Sequence, residues 1–204
     1  MKNIYYITDI ILDKRSVHTI HITEICANLA ALGYHVTLYA PSTKEFLSPK
    51  EYHIKFISTP RWMISVFYQF HLFLRLCYDL STKRPDAIYS RSSQFLFVPV
   101  LMSKLFRIPI LLEINGKLIE ESRRINKGVF MRMLLTLKIL QIVEYFNVIL
   151  ASGVIVVTQG IKDYLITLYD VDPQKISVIA NGVDIKFMRP LPVVESRAKI
   201  SLDD

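Results

Sequence analysis

The chain has 204 residues, of which 51% are hydrophobic and 21% are charged, with a formal net charge of +7. This length favours one domain with a sizeable core, and the composition excludes an intrinsically disordered or low-complexity protein. Two cysteines are too few for a disulfide framework or a four-ligand zinc site, and the first residues do not resemble a secretory signal. We therefore expect a cytoplasmic protein in which Cys26 and Cys77 are small core residues.

The positive charge is concentrated in the middle of the chain. From Arg61 to Lys138 there are 13 Lys and Arg residues against 5 Asp and Glu residues, whereas the remainder carries 12 against 13. A basic surface of this kind attracts phosphate groups on nucleotides, nucleic acids or anionic lipids. A solvated helical face explains the same charges, and both interpretations stay open. No nucleic-acid motif accompanies the charge, so nucleic acid is not an expected partner.

The pattern of apolar residues predicts alternating strands and helices along the chain. The first half predicts three strands and two helices: strand Asn3–Thr8, helix His18–Leu32, strands His35–Ala40 and His53–Ser58, and helix Trp62–Leu80. The second half predicts four strands and three helices: strand Asp86–Ser90, helix Gln94–Phe106, strand Pro109–Ile114, helix Val129–Leu150, strand Gly153–Thr158, helix Ile161–Tyr169 and strand Lys175–Ala180. This alternation predicts an α/β fold with a doubly wound, mainly parallel sheet of about seven strands flanked by helices.

The two longest predicted helices are apolar, but neither suits a membrane span. Charged residues interrupt both, including Arg75 in the first and Lys138 in the second, whereas a span needs about 20 apolar residues with few or no charges. Covering the sheet is one role for them. Aromatic residues such as Trp62, Phe67 and Phe70 lie among basic residues, so a role at a membrane surface also stays open.

The loop after the first strand excludes two nucleotide-binding motifs. A dinucleotide site of the Rossmann type needs glycines there, so that the backbone can approach a pyrophosphate, and the segment from Asp9 to Val17 has none. No Walker A pattern occurs, so NAD-dependent oxidoreductases and P-loop NTPases are disfavoured. Lys14, Arg15 and Ser16 lie instead at the edge where open α/β sheets bind ligands. Ser16 either caps the following helix or helps these neighbours to hold a phosphate.

The histidines predict neither a metal site nor a cofactor. His18 and His21 are three residues apart on one helix without a Glu or Cys at ligand spacing, and no HExxH motif occurs. No GxSxG nucleophile motif is present either. A single helix histidine is usually structural, but His18 starts its helix beside Ser16 and is kept as a candidate ligand contact.

Further polar residues follow the ends of predicted strands and are expected at the same edge of the sheet: Arg91, Glu113, Asn115, Gly116, Glu120 and Glu121. A carboxylate at a strand end serves as a general base or accepts a hydrogen bond from a sugar hydroxyl. For Glu120 and Glu121 the alternative is a helix N-terminal charge that complements the helix dipole.

Four stretches of the chain carry a family resemblance: Ser16–Ala40, Pro109–Gly116, Ala151–Gly160, and Lys175–Asp184 followed by Phe187–Pro190. In their order and spacing they resemble the N-terminal, acceptor-side domain of glycosyltransferase family 4, and the last stretch resembles its "IPNGVD…F.P" hinge. The resemblance implies a Rossmann-like domain, the N-terminal half of a GT-B fold, over residues 1–190. Residues 191–204 would then be the linker toward a C-terminal donor-binding domain.

The resemblance also implies an activity. Members transfer a sugar with retention of configuration, and without a bound metal, from a nucleotide-sugar donor to a glycan or lipid-linked acceptor. Envelope polysaccharide or glycolipid synthesis, with peripheral attachment to the anionic inner face of the membrane, is the implied setting. Asn115 would be the catalytic residue. Substrate would be bound by Ser16, His18, Arg91, Glu113, Gly116 and Glu120, and the hinge beside the donor would be Asn181, Gly182, Val183 and Asp184.

Three features depart from the family pattern. Lys14, Arg15 and Ser16 occupy the region where many members have a glycine pair. Asn115 stands where many have a histidine that contacts the transferred sugar; an asparagine hydrogen-bonds a hydroxyl but carries no proton at neutral pH. The family's donor domain would lie beyond Asp204, so we expect these residues alone to be inactive. The alternatives are the acceptor subunit of a split transferase with a separate C-terminal partner, and a non-catalytic, membrane-associated module that binds a glycan or lipid phosphate.

Overall fold

A computed structural model of the chain describes residues 1–13, 16–41, 51–57, 64–91, 96–117 and 130–182, together with the single residues 192 and 197. Within these ranges seven strands form one sheet: β1 (Asn3–Ile7), β2 (His35–Pro41), β3 (His53–Ile57), β4 (Ala87–Arg91), β5 (Ile110–Ile114), β6 (Gly153–Val156) and β7 (Ile176–Val178). The strand order is β3-β2-β1-β4-β5-β6-β7, and every neighbouring pair is parallel. The predicted doubly wound α/β sheet is confirmed.

Within the same ranges five α-helices lie between these strands: α1 (Val17–Ala31), α2 (Ile64–Thr82), α3 (Val98–Phe106), α4 (Phe130–Leu150) and α5 (Gln159–Tyr169). Gly33 ends the first of them with a positive φ of +88°, a conformation that glycine adopts without strain. The last strand begins one residue later than predicted because Pro173–Lys175 forms a 3₁₀ turn before it, and it ends two residues earlier, at Val178. Asp172 stabilises this turn by accepting a hydrogen bond from the backbone N–H of Gln174 at 2.9 Å.

The core consists of two apolar clusters, one on each face of the sheet. The larger cluster joins the sheet to α2, whose buried Tyr68, Leu72, Leu76 and Leu80 recur every fourth residue. The smaller cluster packs Ile22 and Cys26 of α1 against strands β1 and β2. Alternate residues of β1 divide between the clusters, because successive side chains of a strand point to opposite faces. Both faces being covered explains why these strands are continuous apolar runs.

One buried carboxylate ties α2 to two strands. Asp79 accepts hydrogen bonds from the Tyr39 hydroxyl at 2.8 Å and from Arg75 Nε at 2.8 Å, and Lys55 Nζ lies 3.0 Å away. We call these four residues the Asp79 cluster. Burial raises the pKa of Asp79, but the hydrogen bonds from Lys55, Tyr39 and Arg75 outweigh it and hold the pKa below the ordinary value of 3.8.

The outer surface of α2, α3 and α4 is unusually apolar. Helix α3 contacts both of the others, and exposed apolar side chains recur at helical spacing: Phe67, Phe70, Leu74 and Tyr78 on α2, Leu101 and Leu105 on α3, and Ile139, Ile142, Phe146 and Ile149 on α4. We call these ten residues the outer helix surface. Over the described ranges no helix combines the length and the apolar character that crossing a bilayer requires.

The charges on these three helices have one sign at the surface. Among their described side chains, the carboxylates of Asp79 and Glu144 are both buried. Lys104 and Lys138 are exposed, and so is Arg107, directly after α3. The outer helix surface is therefore bordered by cations and not by exposed carboxylates in the part of these helices that the structure describes.

Candidate functional site

The candidate site lies at the carboxyl edge of the sheet, where β1, β4 and β5 end beside the first turn of α1. Arg91 and Glu113 are direct neighbours in the register of β4 and β5, so their side chains share one face of the sheet. Both are buried, with exposed fractions of 5% and 1%. Buried charges need partners, because removing an ion from water costs several kcal/mol unless other groups replace the lost hydration.

Glu113 is held by hydrogen bonds to both of its carboxylate oxygens. His21 Nε2 lies 2.6 Å from Oε1, and Asn115 Nδ2 donates to the same oxygen at 2.5 Å. The hydroxyls of Tyr89 and Tyr6 donate to Oε2 at 2.9 Å and 3.4 Å. We call these five residues the Glu113 cluster. It joins β1, β4, β5 and α1 at the point where the sheet ends.

The electrostatics of the cluster favour a carboxylate anion surrounded by neutral hydroxyls. Burial raises the pKa of Glu113. The hydrogen bonds from His21 and Asn115 and the nearby charge of His21 lower it by more than burial raises it, so the pKa of Glu113 lies below the ordinary value of 4.5. Burial, together with the charge of Glu113, raises the pKa values of Tyr6 and Tyr89 above the range of tyrosine in water. Their rings stack with centroids 4.8 Å apart, which fixes the two hydroxyls side by side.

His18 and Arg91 form a second pair beside this cluster. Arg91 Nη2 lies 3.1 Å from His18 Nδ1, and Nη1 donates to the His18 carbonyl oxygen at 3.4 Å. Because a guanidinium only donates, His18 Nδ1 is the acceptor, and a neutral His18 carries its proton on Nε2. In the described part of the chain no carboxylate lies within salt-bridge distance of Arg91.

Ser16 occupies the N-cap position of α1 without capping it through its side chain. Its backbone is extended, as an N-cap requires, but within the described residues its hydroxyl makes no capping hydrogen bond. The backbone N–H of Asp13 instead donates to Thr19 Oγ1 at 2.9 Å, which closes the loop onto the helix. The predicted phosphate-holding role of Lys14 and Arg15 falls on residues outside the described ranges.

Asn115 follows β5 and is half-buried. While its Nδ2 donates to Glu113, its Oδ1 is buried and has no hydrogen-bond partner among the residues that the structure describes. An unsatisfied buried acceptor is costly, about 1–3 kcal/mol, so this atom needs an explanation, such as a water, an ion or a ligand that donates to it. Gly116, the next residue, is also half-buried.

The structure brings most of the predicted site residues to one edge. Ser16, His18, Arg91, Glu113, Asn115 and Gly116 all lie there. Asn181 and Gly182 follow β7 and are exposed. Glu120, Val183 and Asp184 lie outside the described residues, as does all of the predicted 191–204 linker except residues 192 and 197. The roles assigned to all these residues stay predictions.

Three members of the Glu113 cluster were missed by sequence reasoning: Tyr6, His21 and Tyr89. His21 was set aside as a structural helix histidine, yet its i,i+3 spacing from His18 places both rings on one side of α1. The two tyrosines share a face because Tyr6 and Tyr89 are register partners of β1 and β4. The alternation of side chains within each strand predicts which face of the sheet each tyrosine lies on. That the two tyrosines are neighbours follows only when the order of the strands in the sheet is known.

Two further observations concern other parts of the described chain. No group of three or more His, Cys, Asp or Glu is arranged to hold a metal ion within the described ranges. A surface cavity of about 400 Å³ lies at the opposite, amino edge of the sheet, lined by residues that include Met1, His35 and His53 at or near the starts of β1, β2 and β3.

The parallel sheet with helices on both faces and polar residues at its carboxyl edge defines a Rossmann-like ligand-binding domain. Residues 18–187 match a family model described as Glycosyltransferase Family 4, so most of the chain is covered. The chain belongs to glycosyltransferase family 4 and represents its N-terminal domain.

Known proteins resemble this chain over different lengths. The D-inositol 3-phosphate glycosyltransferase of Frankia alni is 42% identical over 53 residues, which are 26% of this chain and 13% of that protein. Sucrose-phosphate synthase of Thermosynechococcus elongatus superposes with a TM-score of 0.73 at 15% identity, covering 100% of this chain and 53% of that one. HepE of Anabaena in complex with UDP and glucose gives 0.67 at 14% identity, covering 98% and 50%. The chain thus spans about half the length of each of these solved structures. Because the sequence identities are only 14–15%, the likeness establishes a shared fold and nothing more.

Proposed function

We propose that this chain is the acceptor-side domain of a transferase that moves a sugar from a nucleotide-sugar donor to a glycan or lipid-linked acceptor. Transfer proceeds with retention of configuration and without a bound metal. Family membership supports the reaction class, and the HepE structure with UDP and glucose suggests a uridine nucleotide. The observation that carries the proposal is the unpartnered Oδ1 of Asn115 beside a buried, ionised Glu113, at the edge where α/β sheets bind ligands.

In this mechanism the residues of the site orient the sugar and stabilise the charge of the leaving phosphate. Asn115 positions the sugar through a hydroxyl, and no covalent protein nucleophile takes part. Arg91, buried without a carboxylate partner in the described part of the chain, stabilises the negative charge of the leaving phosphate together with His18. Fixed dipoles and charges of this kind lower a barrier because they need no reorganisation during the reaction.

A transfer assay tests this function. The protein, isolated from its source cells with an antibody to this chain, is incubated with radiolabelled UDP-, GDP- and ADP-sugars and a lipid and glycan extract of the same cells. We expect label in the acceptor fraction with one donor, at an undiminished rate after EDTA treatment. NMR of the product would show the donor's anomeric configuration. Absence of transfer with every donor, in protein that binds the extract, would favour the non-catalytic binding module.

The domain organisation is part of the same proposal: residues 1–190 form the acceptor side, Asn181–Asp184 the hinge, and residues 191–204 the linker to a donor-binding domain. The coverage of about half of each solved structure supports it. An immunoblot of source cells measures the mass of the natural protein. We expect a band at about twice 23.7 kDa. A band at 23.7 kDa would instead point to a split enzyme, whose donor-domain partner a pull-down should contain.

The outer helix surface is proposed to attach the domain to an anionic membrane. Its exposed aromatic and aliphatic side chains suit the interface between headgroups and acyl chains, and Lys104, Arg107 and Lys138 suit anionic lipid. In vesicle flotation, the protein should bind phosphatidylcholine mixed with phosphatidylglycerol better than phosphatidylcholine alone, and high salt should release it.

A matched pair of variants locates this attachment. Lys104→Gln removes an exposed cation beside the outer helix surface, and we expect about fivefold weaker vesicle binding, since each such cation contributes about 1 kcal/mol. Lys2→Gln removes an exposed cation at the start of the chain and should bind as the unmodified protein does. Equal losses in both variants would show that only net charge matters and would remove this surface from the proposal.

A further inference from the structure

We infer that Asn115 presents its amide oxygen, and not its NH₂ group, to the ligand, and that Glu113 and His21 are positioning residues that enforce this orientation. The site therefore selects a ligand that donates a hydrogen bond at this point, such as a hydroxyl. The identity of that ligand as a sugar rests on the proposed function, whereas the orientation of the amide stands on the geometry of the Glu113 cluster.

The NH₂ end of the Asn115 amide faces Glu113. Asn115 lies with its Nδ2 2.5 Å from Glu113 Oε1. An ionised carboxylate has no proton and only accepts hydrogen bonds, whereas an asparagine offers a donor at one end and an acceptor at the other. The reversed amide would bring two acceptors together at this short distance. Only the observed orientation is compatible with a carboxylate at this position.

Glu113 keeps its charge and its position because both of its oxygens have partners. The residue is 1% exposed, and a carboxylate this buried stays ionised only when hydrogen bonds replace its hydration. His21 Nε2, 2.6 Å from Oε1, must carry a proton and donate, and the Tyr89 hydroxyl donates to Oε2 at 2.9 Å. With both oxygens held from different elements, α1 and β4, the carboxylate cannot turn away from Asn115. Burial raises the pKa of Glu113, but these hydrogen bonds bring it below its ordinary value, in agreement with an anion.

Asn115 Oδ1 is the polar atom of this side chain that is left for a ligand. With Nδ2 engaged, Asn115 has only Oδ1 to offer, and this atom is buried without a partner among the described residues. A ligand hydroxyl would satisfy it. A fluorine or an ether oxygen at the same place would set one acceptor against another. We therefore expect the site to discriminate a hydroxyl from fluorine about tenfold, the loss that one good hydrogen bond of about 1.4 kcal/mol produces.

The orientation is tested by NMR of the ¹⁵N-labelled full chain, with no ligand needed. One proton of the Asn115 side-chain amide should resonate far downfield and exchange slowly with water, because it is bonded to a buried anion. Glu113→Gln should remove this signature. Asn28, whose Nδ2 donates to the Glu24 carbonyl oxygen at 2.8 Å on the exposed side of α1, is the matched control and should not change.

An Asn115 amide with the shift and exchange rate of a solvent-exposed amide would overturn the orientation. The wild-type spectrum, assigned by triple-resonance experiments, decides this point even if Glu113→Gln fails to fold. His21→Gln gives a second readout: it retains a donor and should preserve the downfield proton, whereas His21→Leu should weaken it. An unchanged signal in His21→Leu would remove His21 from the positioning role.

The ligand part is tested with the nucleotide-sugar that supports transfer in the assay above and with its analogues that carry fluorine in place of one sugar hydroxyl, in the full natural protein. The C2 position is left out, because fluorine there slows glycosyl transfer electronically in any enzyme. One analogue should lose about tenfold in kcat/KM, and Asn115→Ala should abolish that difference. Discrimination that persists unchanged in Asn115→Ala would overturn the assignment of Oδ1. If the downfield amide proton is observed but the protein transfers sugar from none of the UDP-, GDP- and ADP-sugars, the orientation of the amide stands and the proposed function is refuted.

Discussion

Asp79 and Glu113 are both buried carboxylates, lie on opposite faces of one sheet, and are each held by three or four donors that include a tyrosine. Their exposed fractions are 4% and 1%, and the pKa of each is below its ordinary value. The partners differ. Asp79 is neutralised by Lys55 and Arg75, whereas Glu113 has no Lys or Arg within salt-bridge distance among the described residues.

The difference is the reason for assigning the Glu113 cluster, and not the Asp79 cluster, to the proposed site. The Asp79 cluster lies between α2 and strands β2 and β3, and every donor in it is directed at the carboxylate. The Glu113 cluster lies at the carboxyl edge and ends in Asn115, whose second polar atom has no partner in the described part of the chain. A buried carboxylate with a lowered pKa is thus not by itself evidence of function. The proposal for Glu113 rests in addition on its position at the carboxyl edge of the sheet and on the unpartnered Oδ1 of Asn115 beside it.

The largest expected effect is on stability, from Asp79→Ala. Removing this carboxylate leaves the buried Tyr39 hydroxyl without its acceptor. The side chains of Lys55 and Arg75 are 25% and 47% exposed, so water rehydrates them and the total loss should be about 2 kcal/mol. Urea unfolding measures the loss. Asp163→Ala, which removes an exposed carboxylate on α5, is the control and should stay within about 0.5 kcal/mol. Equal, small effects would show that the Asp79 cluster does not stabilise the fold.

A smaller effect separates the two clusters through their tyrosines. Tyr39→Phe and Tyr89→Phe each remove one hydroxyl that donates to a buried carboxylate, at 2.8 Å and 2.9 Å, and each should cost about 1.5 kcal/mol of stability. Only Tyr89→Phe should also lower sugar transfer, because Glu113 then holds Asn115 less firmly. Stability and transfer are measured on the same preparations. A transfer loss in Tyr39→Phe of the same size would contradict the separation.

Acid pH should weaken both clusters. A carboxyl whose pKa is lower in the folded chain than in the unfolded chain stabilises the fold above its unfolded pKa, and this stabilisation is lost as pH falls. With ordinary values of 3.8 for Asp79 and 4.5 for Glu113, the loss begins as pH approaches these values and continues below them. Urea midpoints measured from neutral pH to about pH 3 should fall less steeply in Asp79→Asn and Glu113→Gln. Curves that run parallel to the wild type would show that neither carboxyl has a lowered pKa.

The sequence predicted the sheet well because its elements are local patterns. Short apolar runs predicted each strand, and the long aromatic and apolar segment Trp62–Leu80 predicted the helix that the structure has at Ile64–Thr82. The last strand was drawn too long because Lys175, predicted within it, closes a 3₁₀ turn that begins at Asp172-Pro173.

The clusters could not be predicted in the same way, because their members meet only through strand register. Glu113 reaches His21 across 92 residues and Tyr6 across 107, and no local pattern encodes such pairs. The carboxyl edge itself was predictable, since residues after parallel strands gather there, and Arg91, Glu113 and Asn115 were identified by that rule. What the rule could not give is the direction of the Asn115 amide, which depends on the donors around Glu113.

The most direct test of the Asn115 site compares Asn115→Ala with the wild type in the full natural protein, by sugar transfer and by urea unfolding. Asn115→Ala removes the hydrogen bond from Nδ2 to Glu113, but it also removes the unsatisfied buried Oδ1, so the two effects offset each other and the fold should lose less than about 1 kcal/mol of stability. We expect kcat/KM for transfer to fall about tenfold or more, because the sugar loses its hydrogen-bond acceptor. Unchanged transfer by a stably folded Asn115→Ala protein would remove Asn115 from the site and contradict the function proposed for the Glu113 cluster.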